Sequence, residues 1–383
     1  PSRPRRDGPP SAPASSAPSM PPAERDQSRA LLAWFRRAAR PLPWRPCPLD
    51  APRDPYLVLV SEFMLQQTQA ARVAERLPLF LARFPDLASL ALASEHDVLS
   101  LWSGLGYYRR ARNLHAAARE ITARHGSRVP ADPAALAALT GVGAYTAAAV
   151  SSLAHRVPVP AIDGNAARVV IRLYALPLAA ASPRARTAAH EQVAAWMHSL
   201  PRGAHPGLVN EALIELGATV CTPRAPRCDA CPLADSCAAS RTGVQHDLPI
   251  PAAPPARTPL YCDAVLARDS RGRVLVEPRP SAGMWAGLWQ APTREHPTRR
   301  ATARTLRAWL ALDVPLSRAD RFTHATTHRT VEFTVWTAGV LAPSDARALA
   351  HIRPGSRWLT RAAAARLPLS TPQWRIVLGT RKG

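Results

Sequence analysis

Three groups of residues have the types and spacing to do chemistry. The first is a carboxylate in an apolar setting: VSEFMLQQTQ (60–69) sets Glu62 after Leu57, Val58, Leu59 and Val60 and before Phe63, Met64 and Leu65. Such a glutamate is either paired for structure or used as an acid, because removal from water disfavours the charged form of a carboxyl. The second is a set of four cysteines, Cys221, Cys228, Cys231 and Cys237, spaced C-x6-C-x2-C-x5-C. Four thiolates in one loop can hold tetrahedral zinc or an iron–sulfur cubane, and spacing alone leaves the two open. Cys47 and Cys262 lie outside the group and read as packed thiols. The third is LTGVGAYTAAAV (139–150), where Gly141 and Gly143 permit a tight turn with positive φ and close backbone approach. The helix after it presents free N–H groups, a seat for a phosphate. Asp163, in VPAIDGNAARVV, stands just before a further helix and reads locally as its N-cap.

The elements that must position these groups are mostly helical. From Asp26 to about Ser240 the pattern predicts helices and no strand. Asp54-Pro55 opens the helix of Glu62, with a capping side chain followed by proline at the first helical position. SEHDVLSLWSGLG is a capped helix stopped by glycines, and YYRRARNLHAAAREITARHG is an arginine-rich amphipathic helix ending at Gly126. Asp132-Pro133 caps another, the glycine turn interrupts, and AYTAAAVSSLAH continues; further helices are predicted at 164–176, 184–199 and 206–218. Residues 239–258 form a proline-rich connector between domains. Beyond it the period changes. YCDAVLARDSRGRVLVEPRP predicts two strands around an Arg-Gly turn, RTVEFTVWTAGVL a further strand, and TRRATARTLRAWLAL a helix. The chain is thus multidomain: a basic, proline-rich tail expected to be disordered (1–24, with eight prolines in its first 22 residues), an all-α domain (25–238), the connector, and an α+β domain (259–383).

The formal net charge of +22 favours a polyanionic partner, and nucleic acid is the commonest one. No apolar stretch approaches the ~18 residues of a membrane span, and the first residues lack the apolar core of a secretory signal. A cytoplasmic location follows, in which cysteines serve as ligands or free thiols rather than disulfides.

Taken together, the glycine hairpin, the downstream aspartate and the cysteine spacing resemble the helix-hairpin-helix DNA glycosylases of the endonuclease III superfamily. Within it the closer resemblance is to the adenine DNA glycosylases (MutY type). PLPWR, DPYLVLVSEFMLQQTQ, LWSGLGYYRRARNLH, GVGAYTAAAV, IDGNAARV and NEALIELGATVCTPRAPRCDACPLADSC carry it almost continuously over residues 40–238. The resemblance implies a helix-hairpin-helix domain with a 4Fe–4S cluster on the four cysteines, and a monofunctional enzyme that flips adenine out opposite 8-oxoguanine or guanine and hydrolyses its N-glycosidic bond. It implies catalytic roles for Glu62 (acid, then base), Asp163, Tyr145 and Asn165. The lyase-active relatives carry a lysine at the position of Tyr145, whose amine can form a Schiff base with the sugar; a tyrosine cannot. Gln66, Gln67 and Thr68 would face the lesion, Tyr107 would wedge beside the partner base with Leu105 in the same loop, and Gly141 and Gly143 would seat the backbone. Arg40, Arg45 and Glu211 would surround the extruded adenine, while Arg109, Arg110 and Arg112 would coat the DNA-facing surface.

Residues 259–383 resemble the family's Nudix-like C-terminal domain, most clearly in GMWAGLWQAP (283–292). A working Nudix hydrolase needs a glutamate-rich helix for Mg²⁺, and only Glu277, Glu295 and Glu332 stand here, widely spaced, so binding rather than hydrolysis is expected. The family's lesion-reading loop usually contains Phe-Ser-His; the matching stretch is THATTH, with Thr326 in the aromatic position and Thr327 and His328 left to read the oxidised purine. The partner is mismatched double-stranded DNA, with no membrane, a monomeric state, and a sliding clamp as a partner class the motifs do not address. A thymine-mismatch glycosylase, an inactive damage-binding protein and a Nudix hydrolase are the rival readings.

Overall fold

The computed structural model of the chain describes residues 22–251, 256–280 and 283–379. The expected basic tail lies outside these residues except at its end, where the first helix already begins at Pro22. Twelve helices precede the first strand among the described residues: α1 (Pro22–Ala38), α2 (Pro55–Leu65), α3 (Ala70–Arg83), α4 (Leu87–Leu92), α5 (Glu95–Leu101), α6 (Arg109–His125), α7 (Pro133–Ala137), α8 (Ala144–His155), α9 (Gly164–Leu173), α10 (Pro183–His198), α11 (Gly207–Thr219) and α12 (Ala238–Thr242). The chain forms two compact units. One takes the chain up to Ala39, Gly164–Ala204 and Val209–Pro249; the other takes Arg40–Asp163, His205–Leu208 and the chain from Ile250 on. Residues 25–238, expected as a helical domain of a six-helix barrel module and an iron–sulfur cluster module, are shared between the two units.

In the larger unit α2 is the central helix. Asp54 caps it by accepting from the Tyr56 N–H at 2.9 Å, and Pro55 stands in its first turn. Tyr56, and every residue from Val58 to Met64, is buried. The Tyr56 hydroxyl donates to the Phe84 carbonyl at 2.7 Å and ties the start of α2 to the end of α3. Helix α6 lays Arg110, Leu114, Ala117, Ala118 and Ile121 along one buried face, at the spacing of a 3.6-residue period, and ends at Gly126 in the left-handed region.

The same unit carries the sheet: β1 (Thr258–Asp269), β2 (Val274–Pro278), β3 (Trp289–Gln290), β4 (Thr293–His296), β5 (Ser317–Ala325), β6 (Arg329–Leu341) and β7 (Arg357–Leu359). Its order is β3-β2-β1-β6-β5, with β4 on β1 and β7 on β2; β1 and β6 run parallel and β5–β6 is an antiparallel hairpin. The Arg-Gly turn joins β1 to β2 as expected, with Asp269 accepting from the Arg271 and Arg273 N–H groups. Helices α13 (Ala303–Leu310), α14 (Pro343–Ile352), α15 (Arg361–Ala364) and α16 (Thr371–Leu378) complete the chain. Along β1 the side chains alternate: Leu260, Cys262 and Ala264 pack with Ile376 and Val377 of α16, and Val265 and Ala267 with Leu306 and Leu310 of α13.

The connector begins later than expected. Ala238–Thr242 is helical, Ala239 is fully buried, and Leu248 belongs to the same small core with Ile171 and Ala185. Ala239, Val244 and Leu248, all ahead of Pro249, dock this segment as part of the smaller unit. Residues 252–255 lie outside the described set.

Candidate active site

Glu62 sits in the last turn of α2 and is 6% exposed. Four residues on, the Gln66 N–H donates to the Glu62 carbonyl and ends the helix. The Gln66 side chain then crosses to α8, its Nε2 donating to Thr146 Oγ1 at 3.1 Å. Tyr145 precedes Thr146 in the first turn of α8 and is half-buried against the helical core. The C-terminal end of α2 and the N-terminal end of α8 thus meet, which brings the predicted acid and the predicted tyrosine to one locality. Asp163 is half-buried and immediately precedes α9.

The glycine turn joins α7 to α8. Gly141 has φ +75°, and a Cβ built on it would lie 2.3 Å from both Cβ and Nδ2 of Asn113 on α6, so only glycine fits. Gly143 departs from expectation: its φ is −84°, and it is the N-cap of α8 with no side-chain capping bond. The turn needs one left-handed residue, and Gly143 instead leaves the first N–H groups of α8 uncovered by a side chain.

Two loops border the end of α2. Gln66, Gln67 and Thr68 follow it, and Leu105, Gly106 and Tyr107 precede α6. Gln67 and Tyr107 both have left-handed φ, at 55° and 47°. Tyr107 is 50% exposed. Leu105 differs from expectation: its side chain is buried in the helical core, and only its carbonyl serves the loop, accepting from Thr68 Oγ1 at 3.3 Å. Arg110 and Arg112 also differ. Arg110 is 7% exposed and donates to carbonyls of both loops, and Arg112 pairs with Glu95 at 3.0 Å; Arg109 alone of the three is exposed. The reason is helical phase, since Arg110 shares the buried face with Leu114 and Ile121. Arg40 is exposed, and Arg45 donates to its carbonyl at 3.2 Å.

The smaller unit holds the cysteines, Asn165 on α9 and Glu211 on α11, the glutamate being 5% exposed. Two arginines one turn apart on α9, which motif spacing had not singled out, bind the cysteine loop. Arg168 donates to the Cys221 carbonyl at 2.9 Å and to Asn165 Oδ1 at 2.8 Å. Arg172 donates to the carbonyls of Thr222 (2.7 Å), Pro223 (3.0 Å) and Leu248 (2.8 Å), and to Cys221 Sγ at 3.4 Å. Their signal in the sequence is an i, i+4 pair of arginines in the otherwise apolar run AARVVIRL. All four cysteines line one cavity. Among the described residues no group of three or more His, Cys, Asp or Glu side chains is gathered as a site for a metal ion. Burial pushes the Cys231 thiol up to about 12 and raises Cys237, so ligation must displace their protons.

In the C-terminal part Thr326, Thr327 and His328 form the turn of the β5–β6 hairpin. Thr326 closes it through its N–H to the Arg329 carbonyl at 2.8 Å, and Thr327 and His328 are exposed at the tip. The three glutamates are each engaged by arginine: Glu277 by Arg353 at 2.8 Å, Glu295 by Arg279 at 2.6 Å, and Glu332 by Arg300 and Arg321. Of the two cysteines outside the cluster loop, Cys262 is buried as expected, whereas Cys47 is exposed. The GMWAGLW loop docks on the helical part: Leu288 is fully buried in its core, and Tyr108 donates to the Leu369 carbonyl at 2.9 Å.

Comparison with known proteins matches three segments of the chain to family models. Residues 60–193 match the HhH-GPD superfamily of base excision DNA repair proteins, residues 221–237 the iron-sulfur binding domain of endonuclease III, and residues 263–378 a NUDIX domain. The adenine DNA glycosylase of Homo sapiens is 32% identical over 388 residues, covering 87% of this chain and 70% of its own. That of Mycobacterium tuberculosis is 44% identical over 245 residues, covering 64% and 76%. Among solved structures, a thermostable thymine-DNA glycosylase matches 57% of this chain and 97% of its own at 25% identity, with a TM-score of 0.49. Among the described residues no helix is long and apolar enough to cross a membrane.

Proposed function

Because the chain belongs to the adenine DNA glycosylase family, we propose that it extrudes adenine mispaired with 8-oxoguanine or guanine and hydrolyses its N-glycosidic bond, leaving the DNA backbone intact. It is a DNA N-glycosylase of base excision repair, acts on DNA and carries an iron–sulfur cluster. The observation that carries the catalytic reading is Glu62, buried in the last turn of α2 beside the Gln66–Thr146 bond that joins it to the helix of Tyr145.

The bond between adenine and deoxyribose breaks with oxocarbenium character, and adenine leaves readily only when protonated, at N7 in this reading. Glu62 donates that proton and, once deprotonated, activates the water that completes hydrolysis. Asp163, before the N-terminus of α9, stabilises the sugar cation. Tyr145 and Asn165 orient these groups, and Arg40, Arg45 and Glu211 contact the extruded base. With tyrosine at 145, no amine stands where a Schiff base would form. The cluster, when bound, supplies iron–thiolate bonds that fix the cysteine loop, which Arg168 and Arg172 hold from α9. The uncapped N–H groups of α8 after Gly143 seat a phosphate. The exposed Thr327 and His328 read the oxidised purine, supported by their position at the tip of the β5–β6 hairpin.

The domain reading is a glycosylase part over 25–238 in two modules and a Nudix-like lesion reader over 259–383. In this reading the protein acts as a monomer on the nucleoid in the cytoplasm. Pure protein incubated with duplexes carrying adenine opposite 8-oxoguanine, guanine or thymine tests the proposal. Alkali-dependent cleavage at adenine, fastest opposite 8-oxoguanine, is expected; cleavage without alkali, or equal rates opposite thymine, would refute it.

A further inference from the structure

Among the described residues, Arg110 is buried with no carboxylate bonded to it. It is 7% exposed, its hydrogen-bond acceptors are backbone carbonyls and one hydroxyl, and it lies 5.4 Å from the centre of the Trp102 ring. Nη1 donates to the carbonyls of Phe63 and Met64, each at 2.9 Å, and to that of Gln66. Nη2 donates to Thr68 Oγ1 at 2.9 Å and to the carbonyls of Leu105 and Gly106, each at 3.1 Å. One planar group therefore covers the last carbonyls of α2, which have no helical partner of their own, and at the same time holds the loop that leads into α6. Burial lowers its pKa to about 10, so it remains charged at neutral pH.

Each of these loops contains one non-glycine residue in the left-handed region, Gln67 and Tyr107. Such conformations persist only where the surroundings over-determine them. The guanidinium grips both sides of Gln67, at Gln66 and Thr68, and the two residues before Tyr107. It also lies 5.6 Å from the centre of the Tyr107 ring. The grip is thus concentrated on the two strained positions, in loops 37 residues apart in sequence from Thr68 to Leu105.

We infer that Arg110 is a positioning residue that sets both loops in the shape needed to extrude the base, and that it acts on extrusion rather than on bond cleavage. The inference rests on the glycosylase reading, in which these loops face the lesion. Its chemistry requires arginine: a lysine ammonium keeps the charge but cannot span two sets of acceptors with a planar fork.

Arg110→Lys tests it. Single-turnover adenine release is measured from an adenine:8-oxoguanine duplex and from the same adenine in a single-base bulge, where unpairing is already done. Fluorescence of 2-aminopurine substituted for the adenine reports extrusion directly. The variant should slow release from the duplex by about tenfold or more, from the bulge by no more than ~threefold, and lose the fluorescence rise on duplex binding. Equal loss from both substrates, or no loss from the duplex, overturns the inference. If Arg110→Lys does not fold, Thr68→Val removes one acceptor and leaves the guanidinium; it must show the same split at smaller amplitude, and equal effects on both substrates overturn the inference. Wild-type protein that releases adenine from neither substrate would refute the glycosylase reading itself, a failure distinct from loss of the split in the variant.

Discussion

Substitution of Gly141 by alanine tests how the glycine turn is built. Two costs are separable. The φ of +75° is unfavourable for any residue with a Cβ, by roughly 1–2 kcal/mol. The new Cβ would also stand 2.3 Å from Asn113 Cβ and 2.5 Å from its Cγ. Asn113 Cβ is fixed to the backbone of α6, so a rotamer change cannot relieve the overlap; the hairpin or the helix must move, at a further cost of about 1–3 kcal/mol. The total of about 2–5 kcal/mol should appear in chemical denaturation followed by helicity, with the midpoint lowered and the slope unchanged. Shifting the hairpin also moves the start of α8, so affinity for a duplex carrying a non-hydrolysable adenine analogue should fall in the same variant. Asn113→Gly isolates the second cost. Alone it should cost about 1 kcal/mol as a glycine inside a helix. Combined with Gly141→Ala it should recover the overlap, giving a coupling of about 1–3 kcal/mol in the cycle. Gly141→Ala within ~0.5 kcal/mol of the parent, or strict additivity with Asn113→Gly, would refute the geometry.

Glu62→Gln should keep DNA binding while single-turnover excision falls by about 10²–10⁴-fold, as measured by alkali-induced cleavage, because the amide cannot donate the proton. Tyr145→Lys should cut the strand without alkali and form a borohydride-trapped adduct with the DNA, since it supplies the amine the native residue lacks. Arg172→Ala removes donors to three carbonyls and to Cys221 Sγ, so the cluster's visible absorbance should bleach faster in air, at unchanged helicity. His328→Ala should narrow the rate ratio between 8-oxoguanine:adenine and guanine:adenine pairs while leaving the slower rate near its original value, as competition between the two duplexes would measure.

Local chemistry made much of this protein legible without its fold. The caps at Asp54 and Asp132, the stop at Gly126 and the Arg-Gly hairpin all rest on contacts within four or five residues, and each forms as the local pattern requires. The cysteine loop was legible for the same reason, as its four residues lie within 17 positions of sequence. The arginines were not. YYRRARNLH reads as a basic, DNA-facing stretch, yet the phase of α6 turns Arg110 inward and leaves Arg109 outside. Leu105 and Gly143 resisted reading in the same way, one buried by the packing of its loop and the other extended because Gly141 alone takes the left-handed position.

By itself the sequence determined which groups are available: an acid within an apolar helix, a tyrosine after the glycine turn, four thiols in one loop, and a net positive charge. Tertiary structure decided which of them meet. Gln66 joins the end of α2 to Thr146, eighty residues away, and Arg110 joins two loops to α6. The partners are carbonyls and hydroxyls common to every residue or to many, so their pairing leaves no trace in residue type. It arises only when helices pack and strand polar backbone away from water, where each donor and acceptor must find a partner.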